Sequence, residues 1–307
     1  MNYELERIPC PLCQSTDSRT FRQSKDRLKI SDEVFKLVKC ADCQLVYQNP
    51  RVTPSTIGAF YSSNYWSSRP GRNAAKEDIS RKKVTLKCQL LARHAPIPGT
   101  LLELGSANGD FLIGMQNLGW DVHGVEVSPD ASEFSRKQGM DVFTGDLLGR
   151  PDNGTRFDLI VLWAVLPHIS NPLETMVYAA QLLAPNGKVV ISGANIDGFA
   201  SRAMGNKWGH LDQPRHYCMW TPVTITKLLK AAGLTVQEVI YHDDIFNSRY
   251  VPSWLYPFTS ITDDRKGITF KKLVRYSAKQ LAKLLSGPIL ALARLRQDGG
   301  IVTIISG

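Results

Sequence analysis

Two CxxC pairs constrain this chain more than any other feature. Cys10-Pro11-Leu12-Cys13 and Cys40-Ala41-Asp42-Cys43 both stand near its start. Two residues between cysteines let both thiolates reach one tetrahedral ion. Two such pairs close a four-thiolate site with no open coordination position. A redox dithiol needs one CxxC, so the doubled motif reads as a metal site, with Zn2+ in a structural role. The spacer from Thr16 to Lys39 carries Phe21, Leu28, Ile30, Val34 and Phe35, enough for a short hairpin to close over the ion. A segment of this size builds little core, so the metal would supply the folding energy. Cys88 and Cys218 remain as singles, and Cys88 lies in a helical pattern that reads as a small buried apolar residue.

The remainder of the 307 residues is ample for one large domain beside that module. No apolar run of about 18 residues occurs, and Met1 to Arg7 has no signal-peptide character, so a cytoplasmic protein is expected. A net charge of +9 favours anionic partners: nucleic acid, phosphorylated metabolites or an acidic membrane surface.

The second informative segment is Thr100 to Met115. Thr100-Leu101-Leu102-Glu103-Leu104 reads as an apolar strand, Gly105-Ser106-Ala107-Asn108-Gly109 as a tight turn, and Asp110 as the start of a helix. Glycines there let a ligand approach the backbone closely. The spacing is GxxxG rather than GxGxxG, and no Lys-Ser/Thr follows, so a bound pyrophosphate is not favoured. Further strands read as Asp121 to Val127, Asp141 to Phe143, Phe157 to Trp163 and Gly187 to Ser192, the last after a turn at Ala184 to Gly187. Helical stretches such as Ala131 to Gln138 and Leu173 to Leu183 separate them. Alternating strands and helices predict an α/β fold with a doubly wound, mostly parallel sheet, whose ligands sit beyond the carboxyl ends of the strands. Glu103, Glu126, Asp146 and Trp163 all fall at those ends. Glu126 lies about twenty residues past the glycine turn, where a carboxylate can accept from both hydroxyls of a ribose.

The series ELGSANGDFL, GVEVSP, TGDLL, FDLIVLWAVLPHISNP and LLAPNGKVVIS resembles the class I S-adenosylmethionine (SAM)-dependent methyltransferases, over about residues 78–245 plus a final strand. That resemblance implies a Rossmann-like sheet of seven strands. It also implies a turn, Gly105 to Gly109 with Ser106 and Ala107, passing under the methionine part of the cofactor beside Glu103. Glu126 would hold the ribose and Asp146 the adenine, with Trp163 at the same edge. One departure stands out. Where close relatives read Val-Leu-Glu-His, this chain reads Val165-Leu166-Pro167-His168, which removes a carboxylate and with it the case for a second metal.

Gly193 to Pro222 reads as one long functional loop, followed by a helix from Val223 to Ala232 capped at Thr221 and a strand from Leu234 to Tyr241. Its His210-Leu211-Asp212-Gln213-Pro214-Arg215-His216 resembles a stretch found in a bacterial subgroup that carries a similar cysteine module and acts on small molecules, often sugars. Methyl transfer to a hydroxyl or carbon is helped by a general base, and His168, His210 and His216 are the candidates. Each could equally be a packing histidine. Arg215 could clamp a phosphate or carboxylate, or be an ordinary surface ion pair.

Residues 246–298 read as a helical insertion before a last strand at Gly300 to Ile305. They mix Trp254, Tyr256 and Phe258 with Lys271, Lys272, Arg275 and Lys279. Peripheral membrane contact, a lid on the pocket and an ordinary helical cover are the three readings.

The domain reading is therefore a zinc ribbon at 1–52, a linker at 53–77 and a methyltransferase domain at 78–307. The expected acceptor is a small or glycan-linked metabolite, with a nucleotide sugar as one candidate. An RNA methyltransferase whose cysteine module grips RNA is the alternative. It is disfavoured because no Asn/Asp-Pro-Pro-Tyr motif occurs and the catalytic domain has no Pro-Cys pair. A non-catalytic cofactor sensor is the third reading. Oligomeric state is not legible.

Overall fold

The structure is a computed structural model and describes residues 2–61, 74–242 and 298–307. All but the last residue of the insertion expected at 246–298, and part of the linker expected at 53–77, lie outside the described residues.

The N-terminal module contains β1 (Leu5–Glu6), β2 (Ser18–Lys25), β3 (Val34–Cys40), β4 (Val46–Gln48) and β5 (Arg51–Val52). The hairpin expected in the spacer is present as β2 and β3, paired antiparallel from Ser18 opposite Cys40 to Lys25 opposite Val34. Residues 53–61 pack back on the module: Thr53 N–H donates to the Glu4 carbonyl, and Phe60 closes a small core with Phe35 and Val52.

After α1 (Ala74–His94) the main sheet begins: β6 (Thr100–Leu104), α2 (Asp110–Gln116), β7 (Asp121–Glu126), α3 (Pro129–Lys137), β8 (Asp141–Thr144) and β9 (Phe157–Trp163). Then come α4 (Pro172–Gln181), β10 (Leu183–Ala194), α5 (Phe199–Met204), β11 (Cys218–Met219), α6 (Pro222–Ala231), β12 (Val236–His242) and β13 (Ile301–Ser306). The seven strands run in the order β12-β13-β10-β9-β6-β7-β8. From β10 to β8 they are parallel, and β13 is antiparallel to both its neighbours, so the sheet is mixed.

Burial on both faces explains the unbroken apolar runs of the parallel strands. On β9, Phe157 and Leu159 to Leu162 are all buried, with alternate residues entering opposite cores. Capping fixes the helix starts. The Ser128 hydroxyl accepts from Ala131 N–H with Pro129 in the first turn, and Thr221 and Thr224 form a reciprocal capping box before α6.

Two expectations need correction. The turn expected at Ala184 to Gly187 lies within β10: Leu183 already pairs with Phe157, and the register slips before Lys188 pairs with Leu159. Asn186, at φ 64°, takes up the irregularity, so a bulge absorbs residues that read locally as a turn. Gly193 to Pro222 is not one loop either, since it holds the end of β10, α5, a 3-10 turn at Gly205–Lys207 and β11. These pieces are too short to show a period. β11 leaves the main sheet and pairs antiparallel with β4, Cys218 opposite Tyr47 and Met219 opposite Val46. One buried cluster consequently runs from Cys10, Leu45 and Tyr47 through Tyr217 and Trp220 to Leu228, Leu162 and Ile191.

Candidate active site

The glycine turn is pinned to the end of β7. Gly105 and Ser106 N–H both donate to the Val125 carbonyl, at 2.7 and 3.1 Å. Gly105 and Gly109 sit at φ +69° and +81°, where a side chain is strained, and a Cβ on Gly105 would collide with Val165. Ala107 also has positive φ, 49°, and is held there because its N–H donates to Glu126 Oε2 at 2.8 Å. The other carboxylate oxygen of Glu126 accepts from Ser128 N–H at 2.8 Å. Glu126 therefore shapes the turn as well as facing the space above it. Its own burial raises its carboxyl pKa, and these backbone donors pull it back.

Around the turn, Glu103 is buried and pushed up to about 8 by desolvation, against the pull of Lys87. Glu103 Oε2, Ser106 Oγ and Trp163 Nε1 are buried with no hydrogen-bond partner among the described residues. Asp146 is exposed and spends one oxygen on Gly149 N–H at 2.8 Å. Glu103, Gly105, Ser106, Ala107, Glu126, Asp146 and Trp163 all line one cavity of about 1630 Å³ at the carboxyl ends of the parallel strands. Gly109 is not among the lining residues, and instead starts α2 by accepting from Ile113 N–H. Buried polar atoms without partners beside a glycine cradle fit a polar ligand lying across the turn.

The same cavity is also lined by His168, His210 and His216. The sequence offers them as three separate candidates, from segments about forty residues apart, and the fold brings them together. The His168 and His216 rings meet edge to face with centroids 4.5 Å apart. Burial drives His168 and His210 down to about 4 and His216 well below its ordinary value, so all three are neutral at pH 7. His168 Nδ1 lies 3.1 Å from the Arg215 carbonyl and 2.9 Å from the Tyr61 hydroxyl. A carbonyl only accepts, whereas a hydroxyl does either, so the tautomer that satisfies both contacts carries its proton on Nδ1. The lone pair of His168 is then on Nε2. Tyr61 had no sequence signal, because it reaches His168 from a segment with no motif of its own.

Arg215 requires a correction, being neither a ligand clamp nor a surface ion pair. Its side chain is fully buried, and its guanidinium binds Asp26 Oδ1 at 2.7 Å, Asp212 at 2.7 and 3.1 Å and the Phe60 carbonyl at 3.1 Å. Although burial opposes ionisation of Asp212, Arg215 and its neighbours hold that carboxyl well below the usual carboxylate range. Asp26 also accepts N–H bonds from Leu28 and Ile30, so this cluster ties the N-terminal module to the histidine segment. Pro167 is buried, its carbonyl accepts from Tyr217 N–H at 2.8 Å, and it brings no charge to the cavity.

The four paired cysteines converge as the spacing predicts. All four Sγ atoms lie within 4.8 Å of one another, with Cys10 to Cys43 at 3.4 Å and Cys13 to Cys40 at 3.6 Å. A disulfide needs about 2.05 Å. Thiolates about 2.3 Å from a tetrahedral ion stand about 3.8 Å apart, so the donor set fits a thiophilic metal. Gln14 and Gln44 follow the second cysteine of each pair and adopt matching positive φ, 62° and 70°, so the two knuckles turn alike. Among the described residues no other group of three or more His, Cys, Asp or Glu gathers this way. Cys88 and Cys218 are buried outside this group of four, Cys218 in the apolar cluster that also holds Cys10, Cys40 and Cys43, and Cys88 in another. Metal analysis of a Cys88→Ser/Cys218→Ser protein should still give one equivalent per chain, while Cys10→Ser should lower it towards zero.

A family model described as a methyltransferase domain matches residues 76–239, more than half of the chain. Among curated proteins, a ubiquinone biosynthesis O-methyltransferase of Azorhizobium caulinodans is 23% identical over 214 residues, 62% of this chain and 84% of that protein. One from Cereibacter sphaeroides is 29% identical over 157 residues, 46% of this chain and 63% of that protein. Two solved structures share the fold. The complex of the Haloferax volcanii Trm112 methyltransferase activator with a methyltransferase matches with TM-score 0.51, 16% identity, and coverage of 76% of this chain and 92% of that one. A sarcosine dimethylglycine methyltransferase structure from Galdieria sulphuraria matches with TM-score 0.50, 15% identity, and coverage of 74% and 84%. The chain belongs to this methyltransferase-domain family and is a SAM-dependent methyltransferase. No helix among the described residues is long and apolar enough to cross a membrane.

Proposed function

We propose that this enzyme methylates a hydroxyl of a small-molecule acceptor held against His168, His210 and His216. The observation that supports this most is the convergence of three neutral histidines in the cavity that also contains the glycine turn. The oxygen acceptor is the chemistry printed in the names of its curated relatives, the ubiquinone biosynthesis O-methyltransferases. A glycan-linked metabolite or nucleotide sugar is the narrower class. The RNA reading draws on net charge alone.

SAM, when bound, supplies a methyl group already activated on a sulfonium. Gly105 to Gly109 would carry its amino-acid end, with the unpartnered Ser106 Oγ and Glu103 Oε2 available to it. Glu126 retains acceptor capacity on both carboxylate oxygens for ribose hydroxyls, and Asp146 stands at the base-binding end. His168 Nε2 would take the acceptor's hydroxyl proton as its oxygen gains the methyl, leaving the imidazolium to release that proton to solvent. The Arg215 carbonyl keeps Nδ1–H in place throughout. The four-cysteine site would hold Zn2+ as a structural ion, since four protein ligands leave no position for substrate.

Glu126→Ala should weaken binding of S-adenosylhomocysteine by about 1.5–3 kcal/mol, the scale of hydrogen bonds to a charged group. Unchanged affinity by calorimetry would remove Glu126 from the cofactor site. The function itself is tested with isotopically labelled SAM and a panel of phenols, sugars, nucleotide sugars and RNA. Label transferred to a small hydroxyl compound is the expected result, and transfer to RNA alone would reverse the reading.

A further inference from the structure

Arg27 enters the cavity from the N-terminal module, in the turn between β2 and β3. Its neighbour Asp26 fixes that turn through the Leu28 and Ile30 N–H groups and its buried pairing with Arg215. The Arg27 side chain, by contrast, is 49% exposed. Its one ion pair among the described residues is Nε to Asp212 Oδ1 at 3.4 Å. Asp212 already takes a guanidinium bond from Arg215 on each oxygen. No hydrogen bond among the described residues engages the terminal nitrogens of Arg27, so its planar fork has donors to offer.

The surroundings sharpen the point. The three histidines lining this cavity are neutral at pH 7, and the Arg27 charge adds to burial in keeping His210 and His216 so. Arg27 is thus a permanent cation beside His210 and His216. Most half-exposed arginines are merely solvated. This one lines the cavity, beside the groups that would meet the acceptor.

We propose that Arg27 recognises an anionic group, phosphate or carboxylate, on the methyl acceptor. The inference rests on the reading that the acceptor is held against the histidines. A guanidinium fork matches either oxyanion in bidentate geometry, and phosphate carries the larger charge. Arg27 is a specificity residue that sets where the acceptor's anionic end lies, and hence which hydroxyl faces His168.

The test uses the full-length protein saturated with S-adenosylhomocysteine at fixed ionic strength. Inorganic pyrophosphate and benzoate are titrated separately by calorimetry, one probe for each oxyanion. At least one should bind, and the stronger of the two assigns the group. Arg27→Gln should weaken that binding about tenfold or more, and Arg27→Lys, which keeps the charge but loses the fork, by less. Exposed Arg19→Gln serves as the control for general charge and should bind as the parent does. Unchanged S-adenosylhomocysteine affinity and melting temperature in Arg27→Gln show that the fold is kept. Binding of neither probe, or equal binding by Arg27→Gln and the parent, overturns the proposal. Neither result touches the histidine reading, which stands or falls on turnover of the histidine variants. With an acceptor in hand, Arg27→Gln should raise KM with little change in kcat.

Discussion

His168→Ala should lower turnover by about 10²–10⁴-fold while S-adenosylhomocysteine binds as tightly as before. The size follows from losing a positioned proton acceptor, and the selectivity from His168 standing outside the glycine turn and the Glu126 contacts that shape it. His210→Ala and His216→Ala are the matched comparisons. If all three kept full turnover on the identified acceptor, histidine base catalysis would be wrong, and positioning alone would account for the rate. The pH profile adds a second readout. Burial holds His168 at about 4, so its base form fills as pH rises through that value. The rate should be flat from about pH 6 upward, where an unperturbed histidine near 6.5 would still be titrating. Stability follows the same sign. Between about pH 4 and 6.5 the unfolded chain binds more protons at this residue than the folded one, so acid in that window weakens the fold.

Arg215→Met should be strongly destabilising. It takes the guanidinium from buried Asp26 and leaves buried Asp212 with the longer Arg27 contact in place of its two Arg215 bonds. Breaking a buried pair from one side costs about 3–5 kcal/mol. For a chain of this size that is a fall in melting temperature of roughly 6–20 °C. Calorimetric melting of the purified variant measures it, and a shift under about 2 °C would show that the cluster is solvated and inexpensive to lose. A surface ion pair such as Lys137 with Glu133 provides the contrast, since its removal should change little.

The strands and the glycine turn were legible because their causes are local. A run such as Phe157 to Trp163, buried on both faces, announces itself in apolar content. A turn with φ near +70° and +81° demands the glycines that stand there. The knuckle spacing is local too. What escaped the sequence is carried by contacts between distant segments. Asp26 and Arg215 are 189 positions apart, and neither has neighbours that mark it as buried. Arg215 read as a ligand clamp or a surface ion pair, because arginines are seldom fully buried. β11 is two residues long and owes its existence to β4, so no period could reveal it. Tyr61 acquires its meaning from His168, 107 positions later. Asn186 misled for the opposite reason: its local chemistry is that of a turn, and the strand overrode it.

The pairing of β4 with β11 sets a timetable for synthesis. Cys10, Cys13, Cys40 and Cys43 leave the ribosome near one another and ahead of residues 44–307, so a metal ion could be captured before those residues are made. The strand that completes their sheet, and the arginine that neutralises Asp26, come some 170 residues later. At roughly 5–20 residues per second that is a wait of about ten to thirty seconds. Throughout it the nascent hairpin shows an open backbone edge to other chains. β4 is three residues long, and so short an edge gives a stray strand little to grip.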